Sequence, residues 1–321
     1  VENLVAPDPT GQPLLVALHG ATASGKTALA IHLAQHFSGE IVSCDSVAVY
    51  RELNIGTAKP TRVERARVPH HMLDIVSADR PYNAGDYCRD ARAVLAEIAG
   101  RGRLPIVAGG TGLYLRALFE GLFPGPQRSE ELRLRLRELE TKRNGGYLAR
   151  ILRRLDPGSA AIIHPHDTPK IIRAIEVTLE ARMPMSIAWQ AGRDPLQGFR
   201  ILRLGLAPAR AVLYACIDHR ASAMFSRGLL EETERLLARY GSECRPLASL
   251  GYKQAGMVLR GELSLEDAIA ATQQGHRRYA KRQETWFRRE PDIHWLEGFG
   301  DDPAIAAQAL ACVQQELGQS L

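Results

Sequence analysis

Cysteine is scarce in this 321-residue chain: there are five, an odd number, scattered at Cys44, Cys88, Cys216, Cys244 and Cys312. No two form a CxxC pair, so neither a disulfide framework nor a zinc cluster is expected, and the usage suits a reducing cytoplasm. Aromatic residues are few as well, at 6%. Long apolar runs are missing. Near the start the most apolar stretch is Leu14–Leu18, whereas a membrane span needs about 20 residues, so no membrane association is expected. The first residues, Val1–Gln12, hold acidic residues and two prolines but no basic cluster, and they read as a frayed leader rather than a secretory signal. Excess charge is small, since 41 Lys+Arg against 36 Asp+Glu leaves +5. That balance permits an acidic partner without requiring one.

What is present is the composition of a globular protein, 45% hydrophobic and 24% charged. A dominantly disordered chain is excluded, and at roughly 150 residues per domain the length suggests about two domains. Leu14–Leu18 reads as a buried parallel strand ending at Gly20, and Thr27–Phe37 follows with Leu29, Leu33, Ala30 and Ala34 at helical spacing. Glu40–Cys44 and Leu104–Ala108 read as further strands, Met72–Val76 as a short one, and Asp86–Ala99 as a helix. Strand and helix alternating in this way predicts an α/β core with a parallel sheet. The texture changes after Gly121–Pro126, a hinge-like punctuator. From Ser129 to Trp189 the pattern is helical, with Ser129 as a cap, a Leu132, Leu136 and Leu139 stripe, and Pro169 opening a helix over Thr168–Ala181. Arg200–Leu206 returns to strand, Arg220–Tyr240 and Leu265–Arg289 read as helices, and Ile293–Leu296 as a last strand. The expected organisation is a first core part over 13–121, an all-helical insertion over 122–199, and completion of the core over 200–321.

Gly20-Ala21-Thr22-Ala23-Ser24-Gly25-Lys26-Thr27 is GxxxxGKT between a strand and a helix, the context that makes it a P-loop. Its backbone N–H groups would cradle phosphates, aided by the helix N-terminus. Lys26 would supply charge and Thr27 a hydroxyl for Mg²⁺. The motif does not say what the phosphates are attached to. Asp45 ends a strand at the edge where open α/β sheets bind ligands. It suits a Mg²⁺ ligand, a general base or a plain helix cap. Gly109-Gly110-Thr111-Gly112 follows another strand and reads either as a phosphate contact through Thr111 or as a tight turn. His276–Arg289 holds six Lys or Arg with Tyr279 and Trp286 interleaved, and Arg128–Arg154 is also basic. Such segments suit a nucleic-acid backbone or a solvated helix face. His70-His71 and His164-Pro165-His166 lack the companions a metal site needs.

Taken together these motifs resemble the bacterial tRNA dimethylallyltransferases, also called tRNA isopentenyltransferases, over about Val16–Arg289. The resemblance rests on the P-loop, Asp45-Ser46, Ile55-Gly56-Thr57-Ala58-Lys59-Pro60, Gly109–Tyr114, Arg220, Gly251-Tyr252-Lys253 and Tyr279–Gln283 with Trp286. It implies a P-loop NTPase-like fold, and transfer of a dimethylallyl group from dimethylallyl diphosphate to N6 of adenosine 37, beside the anticodon in the stem-loop of tRNA. It implies that Gly20 to Thr27 hold the diphosphate with Mg²⁺, that Asp45 is the base, and that Thr111 and Arg220 orient or neutralise the diphosphate. The tRNA-contacting positions it implies are Asp45, Ser46, Val47, Ala48, Thr111, Arg133, Pro169, Lys170, Ile171, Ile172, Arg173, Gly251, Tyr252, Lys253, Lys281, Arg282, Gln283, Trp286 and Arg288. A cytoplasmic monomer without an obligate protein partner is also implied, with the insertion gripping the anticodon loop. The chain departs from the family pattern at Ala21, where Pro is usual, at Ala48, where Gln is common, at Lys170, where Arg is usual, and at Leu250, which replaces a smaller residue. Three rivals share some of these features. They are an adenylate isopentenyltransferase, a small-molecule kinase with Asp45 on Mg²⁺, and a non-catalytic RNA-binding module.

Overall fold

The computed structural model describes residues 11–123, 125–126, 128–143 and 145–318, and of Ala191 the backbone alone. Most of the leader, and Pro124 of the hinge-like segment, lie outside the described residues. The chain divides into two compact units: one is built from the stretches up to Leu118 and from Leu196 onward, the other from Phe119–Pro195.

The first stretch holds β1 (Leu14–Gly20), α1 (Lys26–His36), β2 (Glu40–Cys44), α2 (Arg62–Arg67), β3 (His70–His71), α3 (Ala84–Gly100), β4 (Pro105–Gly109) and α4 (Gly112–Glu120). Five helices follow: α5 (Glu130–Lys142), α6 (Tyr147–Leu155), α7 (Pro157–Ile162), α8 (Thr168–Glu180) and α9 (Met185–Ala188). The chain then forms β5 (Arg200–Leu206), α10 (Arg210–Ser226), α11 (Leu229–Tyr240), α12 (Tyr252–Leu259), α13 (Leu265–Phe287), β6 (Ile293–Leu296) and α14 (Pro303–Gly318).

All strand pairings are parallel, in a six-stranded sheet of order β3-β2-β4-β1-β5-β6. β1 sits between β4 and β5, and each of its seven residues is buried. That double burial is why Leu14–Leu18 is continuously apolar rather than alternating. Leu29 and Leu33 of α1 pack with Leu14, Val16, Leu18 and Ile106 of the sheet and with Ala309 and Val313 of α14. Because β1, β2 and β4 run the same way side by side, Gly20, Cys44 and Gly109 end along one edge.

Several elements differ from the sequence expectation. Met72–Val76 is not a strand. β3 is the two-residue pair just before it, and Val76 makes one isolated bridge to Tyr50. Met72 and Asp74 take left-handed backbone angles, φ 61° and 57°, while Lys59 and Arg65 hold the Asp74 carboxylate at 2.7 and 2.6 Å. Arg220–Tyr240 is two helices, parted at Gly228 with φ 97°. α14 was not anticipated at all. Leu136 of the α5 stripe is buried, whereas Leu139 is 38% exposed.

A buried carboxylate fixes the Ile55–Pro60 segment. Glu232 Oε1 on α11 accepts from the N–H groups of Asn54 at 3.1 Å and Ile55 at 2.8 Å, and from the Tyr252 hydroxyl. The same hydroxyl accepts from Gly56 N–H at 3.2 Å. A Cβ at Gly56 would lie 2.4 Å from the Tyr252 ring, so only glycine fits there.

The helical unit has its own core, with Leu136, Leu148, Leu152, Ile171, Ile172 and Ile175 buried together. Ser129 caps α5 by accepting from Leu132 N–H, and Asp167 caps α8 by accepting from Lys170 N–H. Glu176 is fully buried and binds Arg133 through two contacts of 2.8 and 2.7 Å, Arg173 at 2.7 Å, and Ser129 N–H at 2.8 Å. Burial alone would push this carboxyl up, but its Arg133, Arg173 and Ser129 partners hold it down at about 2. A carboxylate held below its unfolded value stabilises the fold above that value. The contribution should be complete above pH 4.5 and fade as pH falls through about 2. Urea titrations across this range should show the wild type losing stability toward acid and Glu176→Gln showing a shallower loss. Parallel acid profiles would contradict the assignment.

Candidate active site

The turn between β1 and α1 wraps a cavity of about 470 Å³, walled also by Asp45, Lys59, Arg220 and Gln283. Gly25, at φ 87°, is the residue before α1. A Cβ there would come within 2.6 Å of Gly300 N, so the turn and the Gly300 loop close together only on glycine. Lys26 is folded back, with Nζ donating to the carbonyls of Gly20 at 2.9 Å and Ala21 at 2.6 Å. Burial, and next the Arg220 guanidinium, push its ammonium down to about 7. Ser24 Oγ is buried without a partner. Thr27, in the first turn of α1, is exposed and lines the cavity. A helix N-terminus and a lysine ammonium on one cavity wall together make an anion site.

Asp45 follows β2. Its Oδ1 accepts from Val47 N–H at 2.8 Å and Ala48 N–H at 3.0 Å. One oxygen therefore caps the turn, and no described residue donates to Oδ2. The capping and functional readings of Asp45 are thus compatible. Thr111 serves the same turn: its Oγ1 accepts from Ser46 N–H at 3.1 Å, and its own N–H donates to Cys44 O at 3.3 Å. Thr111 lines neither this cavity nor the one described next. Its hydroxyl holds the Asp45 turn in place.

A second cavity, of about 300 Å³, shares Thr22, Asp45, Thr57, Arg220 and Tyr279 with the first. Arg220 comes from α10, its Nη2 donating to Thr22 Oγ1. Burial lowers its pKa, and Asp45 opposes that shift. Its Nε is buried and unpaired, as is Nδ1 of His276. α10 is strapped to α13 beside this point, with Arg277 Nη1 on the Asp218 carboxylate at 2.6 Å and Gln273 Nε2 on Asp218 O at 3.3 Å.

Gln283 of α13 joins the two glycine-rich turns. Its Oε1 accepts from Thr22 N–H at 2.8 Å, and its Nε2 donates to Gly110 O at 2.8 Å. A Cβ at Gly110 would lie 2.1 Å from Gln283 Nε2, and one at Gly112 would lie 2.5 Å from Trp286 Nε1. Gly110 and Gly112 thus let α13 approach. This tie, the unpaired His276 and the Glu232 anchor were not visible in the sequence. A hint of the first is that Tyr279 and Gln283 are four residues apart, on one helix face.

On its outer side α13 presents Arg278, Lys281 and Arg282, joined by Arg289 just past its end, around a further cavity with Trp286. Arg116 stacks over the Trp286 ring, 4.3 Å from its centroid. Arg288 and Lys253 are exposed, as are Pro169 and Lys170 in the helical unit. Other positions expected to meet tRNA are occupied otherwise. Tyr252, Ile171 and Ile172 are core side chains, and Gln283 is 5% exposed. Arg133 and Arg173 are engaged by Glu176. Gly251, in a left-handed conformation at φ 89°, precedes α12. Val47 is half-buried and Ala48 buried. Among the described residues no three His, Cys, Asp or Glu side chains gather as a metal cluster, and no helix is long and apolar enough to cross a membrane.

Known proteins match this arrangement. The IPP transferase family matches residues 48–290, and the isopentenyl transferase family matches residues 13–77. A tRNA dimethylallyltransferase of Koribacter versatilis is 62% identical over 302 residues, covering 94% of this chain and 98% of its own. One from Solibacter usitatus is 52% identical over 306 residues, covering 95% and 99%. The full-length tRNA isopentenylpyrophosphate transferase of Bacillus halodurans superposes with a TM-score of 0.71 at 34% identity, covering 96% of this chain and 98% of its own. A eukaryotic dimethylallyltransferase acting on tRNA superposes with a TM-score of 0.82 at 26% identity, over 97% of this chain and 80% of its own. With a P-loop on a parallel sheet, and similarity along nearly its whole length, the chain belongs to the IPP transferase family.

Proposed function

We propose that this protein transfers a dimethylallyl group from dimethylallyl diphosphate to N6 of adenosine 37 in the tRNA anticodon loop, releasing diphosphate. The observation that carries the reading is the place of Asp45, on the shared wall of two cavities. One has the P-loop and Lys26 on its wall. The other has Arg282 of the basic helix α13.

The chemistry follows from that placement. The N6 lone pair is delocalised into the adenine ring and is a poor nucleophile. As N6 bonds to the allylic C1, the C1–O bond breaks and positive charge grows on nitrogen. Asp45, with Oδ2 engaged by no described residue, takes the N6 proton. Negative charge grows meanwhile on the departing diphosphate, where P-loop amides, Lys26 and Arg220 stabilise it. Thr27 supplies a hard oxygen donor of the kind Mg²⁺ accepts beside substrate phosphates. When bound, Mg²⁺ would add charge neutralisation to the diphosphate. A base in an anticodon loop must unstack to reach such a site. The exposed cations of α13 and the Trp286 ring suit phosphate contact and base stacking.

Two outcomes test the reading. Asp45→Asn keeps a capping acceptor but no base, so label transfer from dimethylallyl diphosphate to an anticodon stem-loop should fall by at least about 100-fold. Stem-loop affinity should stay within about twofold; unchanged turnover would remove Asp45 from the mechanism. Replacing Lys281 and Arg282 together by Ala should weaken stem-loop binding and lower the slope of log affinity against log salt by about one per lost phosphate contact. An unaltered slope would make the α13 surface a solvated face.

A further inference from the structure

The cavity shared by Asp45 and Arg220 contains a polar group that the reaction as described does not use. His276, on α13, is 6% exposed, and no described residue pairs with either ring nitrogen: Nδ1 is fully buried, and Nε2 is the one with surface left for a ligand. It lines the cavity of about 300 Å³ together with Asp45, Arg220, Met224, Leu250 and Tyr279. Buried polar groups are nearly always paired, and an unpaired one is costly unless a ligand completes it. The side chain one helical turn back has no proton to give the ring, because Thr272 Oγ1 donates to Ala268 O at 2.7 Å. At that volume the cavity is at the small end of ligand sites, a size for one flat ring system. Its wall mixes aliphatic and aromatic surface from Met224, Leu250 and Tyr279 with a few polar groups, as a nucleobase pocket requires.

We propose that His276 is a base-contacting residue, donating a hydrogen bond to an adenine ring nitrogen that flanks N6, N1 or N7. The inference rests on the functional reading above and adds the recognition of the base to it. Asp45 accepts from N6, so the edge of the base beside N6 needs a donor, since N1 and N7 are both acceptors. Burial, and then the nearby Arg220, push the imidazole down to about 4. It is therefore neutral at pH 7, with one N–H and one lone pair. A neutral donor holds the base without placing a cation where positive charge grows on N6. Lys26 and Arg220 already meet the charge of the diphosphate, which a neutral ring would serve poorly.

The test uses synthetic anticodon stem-loops with adenosine, 1-deazaadenosine or 7-deazaadenosine at the acceptor position. Wild type, His276→Leu and His276→Gln would be compared by kcat/KM, with affinity for inorganic pyrophosphate reporting an intact fold. The wild type should lose about tenfold on the one deaza base whose missing nitrogen His276 contacts, the scale of one buried hydrogen bond. His276→Leu should lose about tenfold on adenosine and show no further loss on that same deaza base, the signature of a coupled pair. His276→Gln, which keeps an N–H donor, should recover part of the loss. Pyrophosphate affinity should be unchanged in both variants. Equal sensitivity of wild type and His276→Leu to both deaza bases would overturn the proposal. So would a wild type that loses less than twofold on either base, a result that needs no variant to fold. Absence of transfer to any stem-loop by the wild type would instead overturn the functional reading, and this inference with it.

Discussion

The amide of Gln283 holds the site together. Three strands bring their ends to one edge of the sheet, but their turns are separate stretches of chain. Gln283 reaches two of them at once, accepting from Thr22 N–H and donating to Gly110 O. Gly110 and Gly112 leave the room that α13 needs to come that close. Once α13 is seated, its residues at 276, 279 and 283 face the cavities, those at 278 and 281 belong to a basic surface continued by Arg289, and Arg282 borders both. One helix thus closes the site and carries exposed cations on its other side. Its strap to α10 through Asp218 lies two residues before Arg220, which donates back to Thr22 in the P-loop.

The electrostatics of the two cavities follow from this closure. Lys26 and Arg220 are half-buried near each other, and both are pushed toward their neutral forms. Buried cations without a full counter-charge are costly. An anionic ligand relieves that cost, so the site favours an anion. Asp45 is the one carboxylate that raises both cations. Its own turn is rigid, because Oδ1 is spent on Val47 and Ala48 and Thr111 holds Ser46. Fixing one carboxylate oxygen aims the other, which suits a base that must meet a single proton.

Much of this was legible in the sequence because it is local. A strand, a glycine-rich turn and a helix in register identify the P-loop from neighbouring residues alone. Asp45 at a strand end and the Ser129 cap are similarly local. The resemblance added the order of the motifs, which no single motif carries. What stayed hidden is non-local. The Gln283 to Thr22 bond spans 261 positions, and Glu232 anchors Ile55 across 177. Met72–Val76 has strand-like residues, yet Asp74 is drawn to Lys59 and Arg65 and the backbone turns instead. Tyr252, Ile171 and Ile172 fall in strings that resemble tRNA contacts, but their side chains are in cores. A motif string marks a segment without saying which of its residues point outward.

The most direct measurement is a transfer assay with radiolabelled dimethylallyl diphosphate and Mg²⁺, offering unmodified tRNA, its anticodon stem-loop, AMP and ATP as competing acceptors. Label should enter the adenosine beside the anticodon in tRNA and in the stem-loop, and not AMP or ATP, because Asp45 lines a cavity bordered by the basic residues of α13. Label in AMP alone would contradict the role given to α13, and ATP hydrolysis without prenyl transfer would contradict the role given to Asp45 and the P-loop.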